Sequence, residues 1–307
     1  MTKATSENAV KKILVTGSSG MVGTALCARL EEEGHRVLRL VRSGSSDPGR
    51  VVWNPLTGEA DAQRLEELDA VVHLAGENIA GGRWTSARKD SIRRSRVEGT
   101  KNLCTLLTSL TRKPKALVAA SAIGFYGDRG DDILDESAHA GTGFLAETCR
   151  AWEEASSSAV TAGIRTVLLR IGVVLAREGG ALAKMLFPFK IGMGGRIGTG
   201  RQHVSWITAE DLVSAIVHCI DNAELAGPVN AVAPHPVTNL ELTRALGKAL
   251  HRPTIVPLPA FMARILLGEM ADELLLSSTR VLSRKLEASG FSFASSRIDE
   301  ALEKILG

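Results

Sequence analysis

The chain has 307 residues, of which 44 % are hydrophobic and 23 % charged; that balance is ordinary for a soluble globular protein and excludes disordered, collagen-like and small disulfide-scaffold classes. The net charge of +3 is too small to argue for a nucleic acid or an anionic membrane as partner. No uncharged apolar run reaches the ~18 residues of a membrane span.

At this length a main domain with a smaller lobe is expected. The polar stretch 1–8 lacks a signal-peptide apolar region and reads as a frayed tail, so the cytoplasm is the default location. Lys12–Thr16 is a short buried-strand run, followed by a helix over 21–33 that ends at Gly34. Further strands are predicted at 36–42, 69–75, 116–121 and 165–171. Helices are expected between them at 85–111 and 144–161. Alternation of this kind predicts a parallel sheet with helices on both faces. Beyond Gly172 the rhythm loosens, with glycines clustered over 179–200. A strand at 203–207, a helix at 209–219, a strand at 229–232, a helix at 240–250 and a helical tail over 261–306 complete the chain. The fold class is therefore α/β, a Rossmann-type doubly wound parallel sheet over 11–171. Residues 172–307 form a smaller C-terminal substrate lobe interleaved with it.

Cys27, Cys104, Cys149 and Cys219 form no CxxC pair and read as buried thiols of a reducing compartment. No spacing suggests a metal site, a G-x-S-x-G elbow or a GxxxxGK[ST] phosphate loop. Tyr126 is the single tyrosine, so a mechanism that needs a catalytic tyrosine must use it.

The strongest local signal is Thr16-Gly17-Ser18-Ser19-Gly20-Met21-Val22-Gly23, which follows a strand and opens a helix. Gly17 suits the tight turn, Gly20 the approach of a pyrophosphate, and Gly23 close helix packing. Ser19, Met21 and Val22 complete the phosphate-facing helix start. The second strand ends Val41-Arg42-Ser43, and no acidic residue occurs between Glu33 and Asp47. An arginine there suits a 2′-phosphate, which favours NADP(H) over NAD; the alternative is a solvent-exposed loop arginine. Arg96 falls on the inward stripe Ile92, Arg96, Gly99, Leu103, where its charge needs an anion. Either a bound ligand or a buried carboxylate answers that need.

With these residues in view, the chain resembles the extended short-chain dehydrogenase/reductases. More narrowly, it is similar to the atypical epimerase-family subgroup that ends in a domain of unknown function. TGSSGMVG matches the TGxxGxxG loop, and residues 69–79 (DAVVHLAGENI) match D-x-V-x-H-x-A-G. The resemblance implies that Leu74, Ala75 and Gly76 line the cofactor. It also puts Arg96 in the place of the Asn of N-V-x-G-T. Subgroup marks include Gly76-Glu77-Asn78-Ile79, Arg83-Trp84, Gly124-Phe125-Tyr126-Gly127, Gly194 to Gly200, Trp206-Ile207, Asp211-Leu212, Gly268-Glu269-Met270-Ala271 and Gly290-Phe291. Thr208 and Ser283 depart from the subgroup's usual His and Pro.

Members of the superfamily use Ser/Thr with Y-x-x-x-K on the helix after the fifth large strand, the tyrosine acting as acid or base. Residues 144–154 here read FLAETCRAWEE, with neither Tyr nor Lys. Ser121 at the strand end and Glu147 on the helix are the catalytic candidates that remain. Glu77, Asn78, Trp84 and Trp206 are candidate walls of a substrate pocket, and His73 reads as a structural histidine. The expected ligands are NADP(H) and an unidentified small, polar, sugar-like molecule. Oxidoreductase or epimerase-like chemistry is the first functional reading, and a non-catalytic NADP(H)-binding sensor or scaffold the second. No nucleic acid or membrane partner is expected; a homodimer is possible.

Overall fold

In the computed structural model, which describes residues 9–44 and 47–307, the apolar runs pair into one parallel sheet. The stretch 1–8, expected as a frayed tail, lies outside the described residues. In chain order the first elements are β1 (Lys12–Thr16), α1 (Met21–Glu32), β2 (Arg36–Val41), β3 (Arg50–Val52), β4 (Ala70–His73), α2 (Ser86–Ser109) and β5 (Ala116–Ala122). Then come β6 (Ile133–Leu134), α3 (Phe144–Glu154), α4 (Ser157–Thr161), β7 (Arg165–Ile171), β8 (Val173–Ala176) and α5 (Gly180–Lys190). They are followed by β9 (His203–Val204), β10 (Trp206–Thr208), α6 (Ala209–Asp221), β11 (Gly227–Ala231), β12 (Val237–Thr238) and α7 (Asn239–Ala249). The last are α8 (Ala260–Leu267), α9 (Glu269–Ala271), β13 (Arg280–Val281), α10 (Arg284–Ala288) and α11 (Ile298–Leu306).

The central sheet runs β11-β7-β5-β4-β1-β2-β3, every pair parallel. Its order reverses between β1 and β4, the position where doubly wound sheets open a ligand crevice at their carboxyl edge. Alternate side chains feed two cores. Ile13, Val15, Val72 and Val118 pack with Leu26 and Leu30 of α1 and with α6 on one face. Leu14, Val71 and Leu117 pack with Leu103 and Leu107 of α2 on the other. Strands covered on both faces have no need to alternate apolar with polar residues, which is why they read as unbroken apolar runs.

The C-terminal residues are interleaved with this sheet: β11 hydrogen-bonds along β7, and α6 packs beside α1. The Asp211 carboxylate, 1 % exposed, accepts the backbone N–H groups of Ala294 (2.7 Å) and Ser295 (3.1 Å), pinning the tail to α6. Thr208 caps α6 by accepting from the Asp211 N–H.

Several expected elements differ. The helix expected over 144–161 breaks at Ala155 and Ser156, where the Ser156 hydroxyl donates to the Glu153 carbonyl and competes with the helical ladder. The expected helical tail is divided at Gly268 (φ +63°) and Gly290 (φ +82°), with a π-helical turn at Asp272–Leu276 and β13 between them. Helix α5, in the glycine-rich stretch, buries Leu182, Leu186 and Phe189 at helical spacing despite an internal Pro188. The strands β3 and β8 are likewise additional to those expected. All four cysteines are free and buried, and burial pushes the thiols of Cys104, Cys149 and Cys219 up to about 12. No helix among the described residues is long and apolar enough to cross a membrane.

Candidate functional site

The β1–α1 loop folds as it does because two of its glycines have no room for a side chain. Gly17 has φ +66°, and a Cβ there would lie 2.8 Å from the Leu74 carbonyl carbon and oxygen. The loop therefore rests directly on the backbone leaving β4. A Cβ on Gly23 would stand 2.2 Å from the Gly17 carbonyl oxygen, so this glycine lets α1 press onto the loop itself. Gly20 is the N-cap of α1 and supplies no side-chain cap. The first N–H groups of the helix, at Met21, Val22 and Gly23, point past Ser19 and Gly20 with the positive end of the helix dipole behind them. The Met21 side chain packs on the other lobe: its sulfur would be 2.8 Å from a Cβ on Gly179.

Val41 closes β2, and Arg42 and Ser43 follow, both exposed. Arg42 has no ion-pair or hydrogen-bond partner among the described residues. A free guanidinium at the end of β2, one strand from the uncapped helix, can take a phosphate monoester through parallel N–H donors.

On the other side of β1, Leu74, Ala75 and Gly76 leave the end of β4. The Ala75 N–H is held by Thr16 Oγ1 (3.2 Å). His73 beneath them is fully buried, with Nδ1 2.7 Å from Thr16 Oγ1 and Nε2 3.0 Å from Thr100 Oγ1. Thr100 Oγ1 also accepts from the Trp152 indole (2.8 Å). Burial pushes the His73 pKa down to about 4, so the ring is a neutral tie between β1, β4, α2 and α3. Glu77 is committed elsewhere: its carboxylate takes Arg88 (2.5 Å) and the Ser91 hydroxyl (2.5 Å). Asn78 is exposed and folds its own loop by accepting from the Ala80 N–H (2.9 Å). Lys184 of α5 donates to the Ala80 carbonyl across the lobes.

Ser121 at the end of β5 is 3 % exposed and donates to Glu153 Oε1 (2.7 Å). Glu153 is gripped from the other side by Arg170 of β7, Nε to Oε1 and Nη2 to Oε2 both at 2.9 Å. Arg170 Nη1 donates to the Tyr126 hydroxyl (3.0 Å), which donates to Asn230 Oδ1 (2.7 Å). Asn230 in turn donates from Nδ2 to the Leu282 carbonyl (2.9 Å). Burial is the largest influence on the Arg170 pKa and would lower it, but the hydrogen bonds and charges of Glu153 and Tyr126 together raise it. Burial raises the pKa of Tyr126, whose ring is fully enclosed. The lone tyrosine is thus a buried structural link and faces no crevice.

Glu147 is exposed on the outer face of α3, two turns from the network that holds Ser121. Trp84 is 9 % exposed; it donates to the Ile79 carbonyl (2.8 Å) and meets Phe144 edge-on at 5.0 Å, stapling the 76–84 loop to α3. Trp206 requires a correction. It is fully buried among Leu175, Leu182, Leu186 and Leu242, with its indole donating to the His235 carbonyl (3.1 Å), so it is core and not a pocket wall. The pairing of β10 with β8 turns that face inward.

Glu153 and Arg170 were not among the expected site residues. A signal existed: Arg170 interrupts the apolar run of residues 167–171, and a charge so placed needs a buried partner. Its partner lies 17 positions away on another element, beyond any local pattern. No group of three or more His, Cys, Asp or Glu among the described residues can hold a metal.

Residues 13–232 match the model of the NAD dependent epimerase/dehydratase family, and residues 258–305 match a domain of unknown function, DUF1731. The chain is 44 % identical over 290 residues to the epimerase family protein ML0860 of Mycobacterium leprae, covering 94 % of each. The crystal structure of human epimerase family protein SDR39U1 (isoform 2) with NADPH is similar, with a TM-score of 0.88 at 33 % identity, over 96 % of this chain and 99 % of that one. A nucleoside-diphosphate sugar epimerase from Corynebacterium glutamicum superposes with a TM-score of 0.81 at 38 % identity, over 97 % of this chain and 59 % of that one.

Proposed function

The chain belongs to the NAD dependent epimerase/dehydratase family, and from that premise we propose that it binds NADP(H) across the carboxyl edge of β1, β2 and β4. The observation that carries this reading is the pairing of an uncapped α1 N-terminus with an exposed arginine at the end of β2 that has no partner among the described residues. The residues fit the group. Gly17 and Gly23 hold the loop where no side chain intrudes, Gly20 leaves the helix end open, and Arg42 with Ser43 faces the 2′-phosphate. Leu74, Ala75 and Gly76 border the half of the cofactor that crosses β4. NADPH bound to the human relative supports the choice of phosphate.

The bound cofactor supplies hydride chemistry, which makes the protein an oxidoreductase or epimerase-like enzyme for a small polar substrate. What this chain supplies beside the cofactor differs from the usual arrangement. Helix α3 has no tyrosine or lysine, and Ser121 is the hydroxyl at the end of β5. Its proton is directed at Glu153, so its lone pairs face away from that bond and can accept from a substrate hydroxyl. Glu153, fixed by Arg170, holds Ser121 in that orientation.

A second reading has its own observation. Ser121 spends its proton internally, Glu147 is exposed and Tyr126 is enclosed, an arrangement that suits an NADP(H)-binding sensor as well. One measurement tests the cofactor assignment and a second separates the two readings. Thermal melting with NADPH and with NADH is expected to show the larger rise with NADPH; a larger rise with NADH would overturn the assignment of Arg42. Stopped-flow oxidation of bound NADPH across carbonyl compounds and nucleotide sugars is expected to give turnover with at least one, and silence throughout would leave the sensor.

A further inference from the structure

Arg96 lies on α2 where that helix passes the end of β4, and it forms no ion pair among the described residues. Its guanidinium carbon would be 3.4 Å from a Cβ on Gly76, and its other side stands 5.1 Å from the Trp152 ring centroid. One hydrogen bond is made, from Nη1 to the Ile92 carbonyl of its own helix (3.2 Å), out of five N–H groups available. Among the described residues no carboxylate forms an ion pair with it. The nearby Glu77 is bound to Arg88 and Ser91. Arg96 is half-buried, and desolvation pushes its pKa down against the weaker pull of Cys149 and Glu77. A second unmet group lies on α3. Thr148, one turn before Trp152 on the same face of α3, is 1 % exposed, and its hydroxyl has no hydrogen-bond partner. Orphaned buried polar groups of this kind call for an explanation, and a ligand is one.

The sheet order says which part of a ligand reaches Arg96. Arg42 follows β2, on one side of β1; Gly76 follows β4, on the other. A dinucleotide with its 2′-phosphate at Arg42 and one phosphate over the α1 N-terminus extends its second half past Gly76. A helix N-terminus carries about half a positive charge, which leaves most of the charge of a pyrophosphate to be met by other groups. We propose that Arg96 is the counter-charge for the phosphate on the nicotinamide side of the dinucleotide, which it meets beside Gly76. This inference rests on the NADP(H) reading above and adds to it a second, separate cationic site. Trp152 braces the guanidinium from behind, so that little side-chain freedom remains to be lost on binding.

Three ligands dissect the claim by calorimetric titration of the full chain: NADPH, 2′-phospho-ADP-ribose, which keeps both bridging phosphates but has no nicotinamide, and 2′,5′-ADP, which lacks the second bridging phosphate. Arg96→Met is expected to weaken NADPH and 2′-phospho-ADP-ribose alike, by about 10- to 100-fold for a lost charge-assisted contact. It should leave 2′,5′-ADP unchanged, with Arg96→Lys recovering part of the loss. Because no protein ion pair is broken, the melting temperature of ligand-free Arg96→Met should not fall. Unchanged affinity for all three ligands would overturn the proposal. So would a loss confined to NADPH, which would mean a contact to the nicotinamide ring, or an equal loss for all three with a lowered melting temperature, which would mean a structural role. Failure of the parent reading looks different: the unaltered protein would then bind none of the three.

Discussion

Two polar regions meet the carboxyl edge of the same sheet and are built on opposite plans. Around β1, β2 and β4, polar groups are left without partners among the described residues: the N–H groups at the start of α1, the Arg42 guanidinium, most of Arg96. Around β5, β7 and β11, the chain Ser121–Glu153–Arg170–Tyr126–Asn230 satisfies each member in turn. The first arrangement is costly unless something outside the protein completes it, and the second rigidifies by being complete. Substitutions in the two regions should therefore separate binding from stability.

The largest effect is expected from Arg170→Met. It leaves Glu153 buried without its bidentate partner, which costs about 3–5 kcal/mol, read as a lowered denaturant midpoint. The folded fraction should keep its NADPH affinity; an equal loss of affinity would join the two regions into one site. Next is the acid response of His73, which ties the floor of the crevice to α3. Its pKa of about 4 lies below the unfolded value of about 6.5, so the unfolded chain binds the extra proton first. Stability from this group is complete above pH 6.5 and is lost as pH falls from there to 4, by roughly 3 kcal/mol. His73→Gln should flatten that part of the stability–pH curve, and an unaltered slope would show that other groups set it.

Arg42→Ser is expected to weaken NADPH about 10-fold or more while NADH affinity and the melting temperature stay put. A fall in melting temperature without loss of NADPH preference would make Arg42 structural and break the contrast. The smallest effect should come from Tyr126→Phe, which removes one hydroxyl from a satisfied chain and costs about 1–2 kcal/mol. Its NADPH affinity and any turnover should be unchanged, and a lost turnover would bring the lone tyrosine back into the chemistry.

The glycine loop shows how much can be read locally. Gly17, Gly20 and Gly23 sit between an apolar run and a helical pattern, and the structure places them in that turn because neither a Cβ at 17 nor one at 23 has room. Arg42 was legible for a similar reason: it ends a strand whose flanks hold no acid. Trp206 was misread because a tryptophan beside a glycine-rich stretch looks the same in sequence whether it faces a cleft or the core. Only the pairing of β10 with β8 turned it inward.

The sequence by itself determined the alternating α/β plan, the glycine loop, the cation at the end of β2 and the absence of a Y-x-x-x-K pair on α3. Those features depend on periodicity and on neighbours a few residues apart. Tertiary structure alone decided that Arg170 meets Glu153, that Tyr126 closes onto Asn230 104 positions away, and that Arg96 forms an ion pair with no carboxylate among the described residues. Whether a charge is answered depends on what packing brings within about 4 Å of it, and those groups come from elements that no local pattern connects.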